Sequence, residues 1–66
     1  MGKKVIIIPT YNEAQNIASI IERVRVYDKD SSILVVDDSS PDGTADIVTH
    51  MMANDSKISL LLRKGK

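Results

Sequence analysis

The sequence predicts an α/β chain of order β-α-β-α-β, built on a three-stranded parallel sheet. Three observations carry this reading. Short apolar runs recur at Val5 to Ile8, which is β-branched throughout, at Ile33 to Val36 and at Ile58 to Leu62. The stretches between them place apolar residues at helical spacing. Each crossover is about 20 residues long, which is what a helical return between parallel strands needs.

The elements follow in order. Val5-Ile6-Ile7-Ile8 reads as the first strand, closed by Pro9. Ile17, Ile20, Ile21 and Val24 fall at i, i+3, i+4 and i+7, one face of a helix. Asn12 is a candidate cap for that helix, with Gln15 completing a capping-box-like pair. Asp28 to Ser32 is a polar turn, and Ile33 to Val36 a second strand. Asp37 to Thr44 is a loop of Asp, Ser, Pro and Gly, all turn or cap formers. Ala45, Val48, Met51 and Met52 mark a second amphipathic helix ending near Asn54, before the third strand at Ile58 to Leu62.

Strands that are apolar on both sides belong to a sheet covered on both faces. Parallel crossovers are right-handed. The strand order 3-2-1 therefore places both helices on one face, and 2-1-3 would place them on opposite faces. With 3-2-1, the bare face would show Ile6, Ile8, Leu34 and Val36 or their neighbours. An apolar patch of that kind calls for a cover. The expected cover is the remainder of a larger enzyme or a second copy of the chain, giving a homodimer or oligomer.

Composition narrows the function classes. The 66 residues make one domain or less. Nine basic residues balance nine acidic ones, which is not the charge of a nucleic-acid binder. With no cysteine there is neither a disulfide nor a thiolate metal site, in keeping with a reducing compartment. No apolar run approaches the ~20 residues of a membrane span. Met1-Gly2-Lys3-Lys4 and the four apolar residues after it are too short for a signal peptide. The expectation is a cytoplasmic location with no transmembrane segment.

The chemistry should sit beyond the carboxyl ends of the strands. Two polar segments fall there: Pro9-Thr10-Tyr11-Asn12-Glu13 and Asp37-Asp38-Ser39-Ser40-Pro41-Asp42-Gly43-Thr44. An aromatic ring can stack on a base. A carboxylate can accept hydrogen bonds from ribose hydroxyls or base N–H groups. No G-x-G-x-x-G follows the first strand and no G-x-x-x-x-G-K-[ST] occurs, so the dinucleotide and P-loop patterns are excluded. Bare carboxylates repel a diphosphate, so a sugar-nucleotide site of this kind needs a bridging divalent cation, Mg²⁺ or Mn²⁺.

Val-Ile-Ile-Ile-Pro-Thr-Tyr-Asn-Glu at 5–13, Ile17, and Val-Val-Asp-Asp-Ser-Ser-Pro-Asp-Gly-Thr at 35–44 resemble family 2 glycosyltransferases of the GT-A fold. The Ser-Pro-Asp-Gly-Thr form is similar to the dolichol- and polyprenol-phosphate mannose synthases. The resemblance implies that residues 1–66 are the N-terminal, nucleotide-sugar-binding part of a Rossmann-like catalytic domain. It implies transfer of a hexose, mannose from GDP-mannose, to a polyprenyl or dolichyl phosphate at a membrane surface. Matched to the family pattern, Pro9, Tyr11 and Glu13 would contact the nucleotide, as would Val36 and Asp38, with Asp37 adjoining. Arg63-Lys64-Gly65-Lys66 resembles the start of the basic, glycine-rich stretch that follows. The family's Asp-x-Asp metal motif and acceptor site lie later than this sequence reaches, so the 66-residue chain is expected to be inactive alone and not to coordinate the cation fully.

Plainer roles suit other residues. Asp42 in Pro-Asp-Gly suits a helix cap, and Gly43 suits a positive φ. His50 has no partner at ligand spacing, and Met51 and Met52 suit core filling. The terminal Lys and Arg residues suit a solvated tail. Ile33 to Asp38 also resembles the acidic pair of receiver domains, but those phosphoacceptors need a further Asp that the chain does not reach. A non-catalytic chain that self-associates or binds nucleotide weakly is the other alternative.

Overall fold

The computed structural model describes residues 4–64. Its elements are β1 (Val5–Thr10), α1 (Ile17–Tyr27), β2 (Ser32–Asp37), α2 (Thr44–Met52) and β3 (Ile58–Leu62). The strands form one parallel sheet in the order β1-β2-β3. This is the expected 3-2-1 arrangement read from the other edge.

Both helices lie on one face. Ile17 and Ile21 of α1 and Val48 of α2 close over Ile33 and Val35 of β2 and Ile58 of β3. Ile8, Val24, Ile47, Met51, Met52 and Leu60 pack around that cluster. Each of these side chains removes apolar area from water at roughly 25 cal/mol per Å². Met51 and Met52 are thus core fillers, and His50 is exposed.

The opposite face is bare among the described residues, and its composition corrects the expectation. The register pairs Ile6 with Ile33 and Ile8 with Val35, so Ile6 and Ile8 face the helices. Their neighbours Val5, Ile7 and Pro9 share the open face with Leu34, Val36 and Leu61. Ile7 is 61% exposed and Leu61 50%. Four apolar residues in a row carry no alternation, so the run at Val5 to Ile8 could not reveal its own phase.

Two boundaries also move. β1 runs on through Pro9 to Thr10. Lys4 and Thr10 both direct their carbonyls to β2, accepting from the Ser32 and Asp38 amides. Pro9 therefore falls in the register whose backbone points away from β2, where a missing N–H breaks no bond of this ladder. Helix α1 begins at Ile17, with Asn16 rather than Asn12 at its cap position. Asn12 has a φ of 56°, outside the range of a cap, and the Glu13 carbonyl accepts from the Asn16 and Ile17 amides in a turn before the helix.

At the amino-terminal end of the sheet, Arg25 ties three segments together. Its Nε donates to Asp55 Oδ2 at 2.7 Å and its Nη1 to the Ser31 carbonyl at 2.7 Å. No helix among the described residues is long and apolar enough to cross a membrane.

Candidate nucleotide-binding edge

The carboxyl ends of β1 and β2 bring the two polar loops side by side. The first loop leaves β1 at Thr10, and the second leaves β2 at Asp37. Each contains a non-glycine residue in the left-handed region, Asn12 at 56° and Ser39 at 58°. Such conformations persist where surrounding contacts over-determine them.

Those contacts run between the loops. The Asn12 amide donates to Ser40 Oγ at 2.8 Å, the Glu13 amide to Thr44 Oγ1 at 3.0 Å, and the Ala14 amide to Asp42 Oδ2 at 3.0 Å. Side chains of the second loop thus satisfy three consecutive amides of the first. Asp42 Oδ1 accepts from the Thr44 amide and hydroxyl at the start of α2, whose cap position is held by Gly43 rather than by Asp42. The Thr44 hydroxyl leads the causes that hold the Asp42 carboxyl below its ordinary value, outweighing partial burial; the Ala14 and Thr44 amides add to it. Gly43 turns the chain at φ 91°.

Asp37 and Asp38 are adjacent but differently placed. Asp37 is fully buried on the helix side. Its Oδ1 accepts from the Thr10 hydroxyl at 2.8 Å and the Ser40 hydroxyl at 2.6 Å, and its Oδ2 from the Ser40 amide at 2.9 Å. Burial alone would raise its pKa; the Ser40 and Thr10 hydrogen bonds outweigh it and hold the carboxyl below the ordinary range. Asp38 is half-buried, and Arg63 Nε approaches its Oδ1 at 3.5 Å. The Arg63 amide donates to the Asp37 carbonyl, and the Ser39 hydroxyl to the Arg63 carbonyl at 2.6 Å. The Arg63 backbone is thus held beside the second loop, while its side chain stays 63% exposed. Gly65 and Lys66, like Met1 to Lys3, lie outside the described residues.

Of the other expected site residues, Tyr11 is 57% exposed at the loop tip. Pro9 and Val36 are ladder partners on the open face. Glu13 is half-buried, and its Oε1 accepts from Asn16 Nδ2 at 3.4 Å. Among the described residues, Glu13 lines an open cleft of about 270 Å³ with Asn16, Ser19, Ile20 and Arg23. A cleft of about 370 Å³ lined by Ile21, Arg25, Met51 and Asp55, among others, shares none of these residues.

Thr10, Ser40, Thr44 and Arg63 are the participants that sequence reasoning missed. Knowing the β1–β2 register would have found Thr10, because it stands opposite Asp37. The hydroxyls of Ser40 and Thr44 donate locally to Asp37 and Asp42, but the amides they accept from on the first loop lie 28 and 31 residues away.

Among the described residues, no three His, Cys, Asp or Glu side chains converge to hold an ion. Asp28-Lys29-Asp30 reads as Asp-x-Asp by letters, but it lies in the turn before β2, at the far end of the sheet. There Asp28 Oδ1 accepts from the Asp30 and Ser31 amides, and Asp28 Oδ2 pairs with Lys4 at 3.2 Å.

Comparison with known proteins agrees with the architecture. The chain is similar to an undecaprenyl-phosphate mannosyltransferase of Micrococcus luteus, 43% identical over 60 residues, covering 91% of this chain and 25% of the relative. It is similar to a polyprenol monophosphomannose synthase of Mycolicibacterium smegmatis, 38% identical over 65 residues, covering 97% of this chain and 24% of the relative. The chain thus spans about a quarter of the length of these relatives. No solved structure gives a significant match. The model of glycosyl transferase family 2 matches residues 5–66, and the chain belongs to that family.

Proposed function

We propose that residues 1–66 form the nucleotide-sugar-binding part of a glycosyltransferase that moves mannose from GDP-mannose to a polyprenyl or dolichyl phosphate. The observation that carries this reading is the joined pair of loops, which leaves Tyr11 and Asp38 accessible at one edge of a family 2 sheet. The names of the two relatives support the mannose and the lipid phosphate.

The roles follow from placement. The exposed Tyr11 ring stacks on the base. Asp38 accepts hydrogen bonds from the nucleoside once Arg63 yields its oxygen. Pro9 and Val36 give the base an apolar neighbour, and Glu13 lies beside them on the first loop. Asp37, whose oxygens are engaged within the fold, holds the edge in shape rather than touching the ligand.

Among the described residues no three carboxylates converge to hold a divalent cation. Mg²⁺ or Mn²⁺ would be held by the fuller family domain. On this reading the 66 residues bind donor but do not transfer sugar. Calorimetric titration with GDP-mannose tests the binding. A mannosyl-transfer assay on polyprenyl phosphate tests the inactivity, and measurable transfer by this chain would overturn that part.

A further inference from the structure

Two hydrogen-bond relays of the same design join the loops. In one, the Ser40 hydroxyl donates to Asp37 Oδ1 at 2.6 Å and accepts from the Asn12 amide at 2.8 Å. In the other, the Thr44 hydroxyl donates to Asp42 Oδ1 and accepts from the Glu13 amide at 3.0 Å. Each is a carboxylate–hydroxyl–amide chain. A hydroxyl has one proton. Committing it to a carboxylate turns a lone pair toward the first loop and strengthens it as an acceptor.

The amides so held, Asn12 and Glu13, directly follow Tyr11 in the chain. Asn12 is also the residue held at a φ of 56°. Thr44 is fully buried as the first residue of α2, so its hydroxyl is a fixed point of the fold. Ala14, held by Asp42 Oδ2, completes three anchored positions in a row.

We infer that Ser40 and Thr44, each oriented by its carboxylate (Asp37 and Asp42), are positioning residues that set the first loop in the conformation presenting Tyr11 and Glu13 to the nucleotide. The inference rests on the nucleotide reading above. It gives the Ser-Pro-Asp-Gly-Thr segment the task of shaping a neighbouring loop.

Amide hydrogen exchange and GDP titration with Mn²⁺, run on the same protein, test it. In the parent chain the Asn12, Glu13 and Ala14 amides should be protected. Thr44→Val keeps the shape and removes the hydroxyl. It should speed Glu13 exchange and weaken GDP binding roughly tenfold, the scale of one lost hydrogen bond. Thr44→Ser should restore both, and Ser40→Ala should repeat the effect at Asn12. The Val48 amide in α2 should keep its protection throughout, separating loop release from unfolding. Should Thr44→Val not fold, Ser40→Ala carries the comparison. Parental Glu13 exchange and parental GDP affinity in Thr44→Val would overturn the inference, as would failure of Thr44→Ser to restore them. A parent chain that binds no GDP while its Glu13 amide still responds would overturn the nucleotide reading and leave the relay standing.

Discussion

Thr10 and Asp37 stand opposite each other in the β1–β2 ladder, and the Thr10 hydroxyl donates to Asp37 Oδ1 at 2.8 Å. That contact joins the carboxyl ends of two strands where the loops depart. Asp37→Ala would remove the acceptor of the buried Thr10 hydroxyl, leaving it only the Val36 carbonyl at 3.5 Å, and that of the half-buried Ser40 amide and hydroxyl. Hydrogen bonds to a charged group are worth about 1.5–3 kcal/mol. The expected loss is about 3 kcal/mol, or a Tm at least ~10 °C lower for a domain of this size. Thermal unfolding followed by circular dichroism checks it; an unchanged Tm would show that the network is dispensable.

The same carboxyl predicts how stability responds to acid. The folded chain holds Asp37 below its ordinary pKa, so its contribution is full above the unfolded value of about 3.9. It is lost as pH falls through the lower folded value. Asp28, Asp42 and Asp55 shift in the same direction, led by the hydrogen bonds from Lys4, Thr44 and Arg25 respectively. Tm should therefore be level from about pH 5 to 7 and decline below about pH 4. A Tm that stayed level down to pH 2 would contradict this.

Gly43 offers a test of backbone shape alone. Its φ is 91°, and nothing lies within 4 Å of where a Cβ would sit. Gly43→Ala should then cost only the left-handed penalty, roughly 1–2 kcal/mol. Chemical denaturation should show a lower midpoint with an unchanged slope. A change in slope would point to a rearranged loop.

The open sheet face predicts self-association. Val5, Ile7 and Leu61 are at least half exposed there. Sedimentation of the parent chain should show mass rising with concentration, and Ile7→Lys should suppress the rise with little effect on Tm. A single monomer boundary at high concentration would sink the idea.

The sequence was most legible where a pattern repeats locally. Ile17 to Val24 announced its helix face by spacing, and β3 runs over the expected Ile58–Leu62. The crossover lengths implied parallel strands, and handedness with the order 3-2-1, which the sheet adopts, puts both helices on one face. Illegible features were those set by distant partners. Ile6 and Ile8 lie on the helix side because of their pairing with Ile33 and Val35. Asn12 reads as a cap by type and spacing, whereas its amide donates to Ser40, 28 residues away. For the site, Tyr11, Glu13 and Asp38 are singled out by the resemblance of their motifs to the family pattern. The inward turn of Asp37 and the place of the Arg63 backbone beside the second loop needed the fold.

The central claim is that this edge binds a nucleotide sugar. Calorimetric titration of the chain with GDP, GDP-mannose and UDP-glucose, each with and without Mn²⁺, tests it most directly. The account predicts saturable binding, tighter for the guanine nucleotides. Tyr11→Ala and Asp38→Ala should weaken it roughly tenfold or more without lowering Tm, since neither side chain is in the core. No binding by the folded chain, or binding that both substitutions leave untouched, would contradict it.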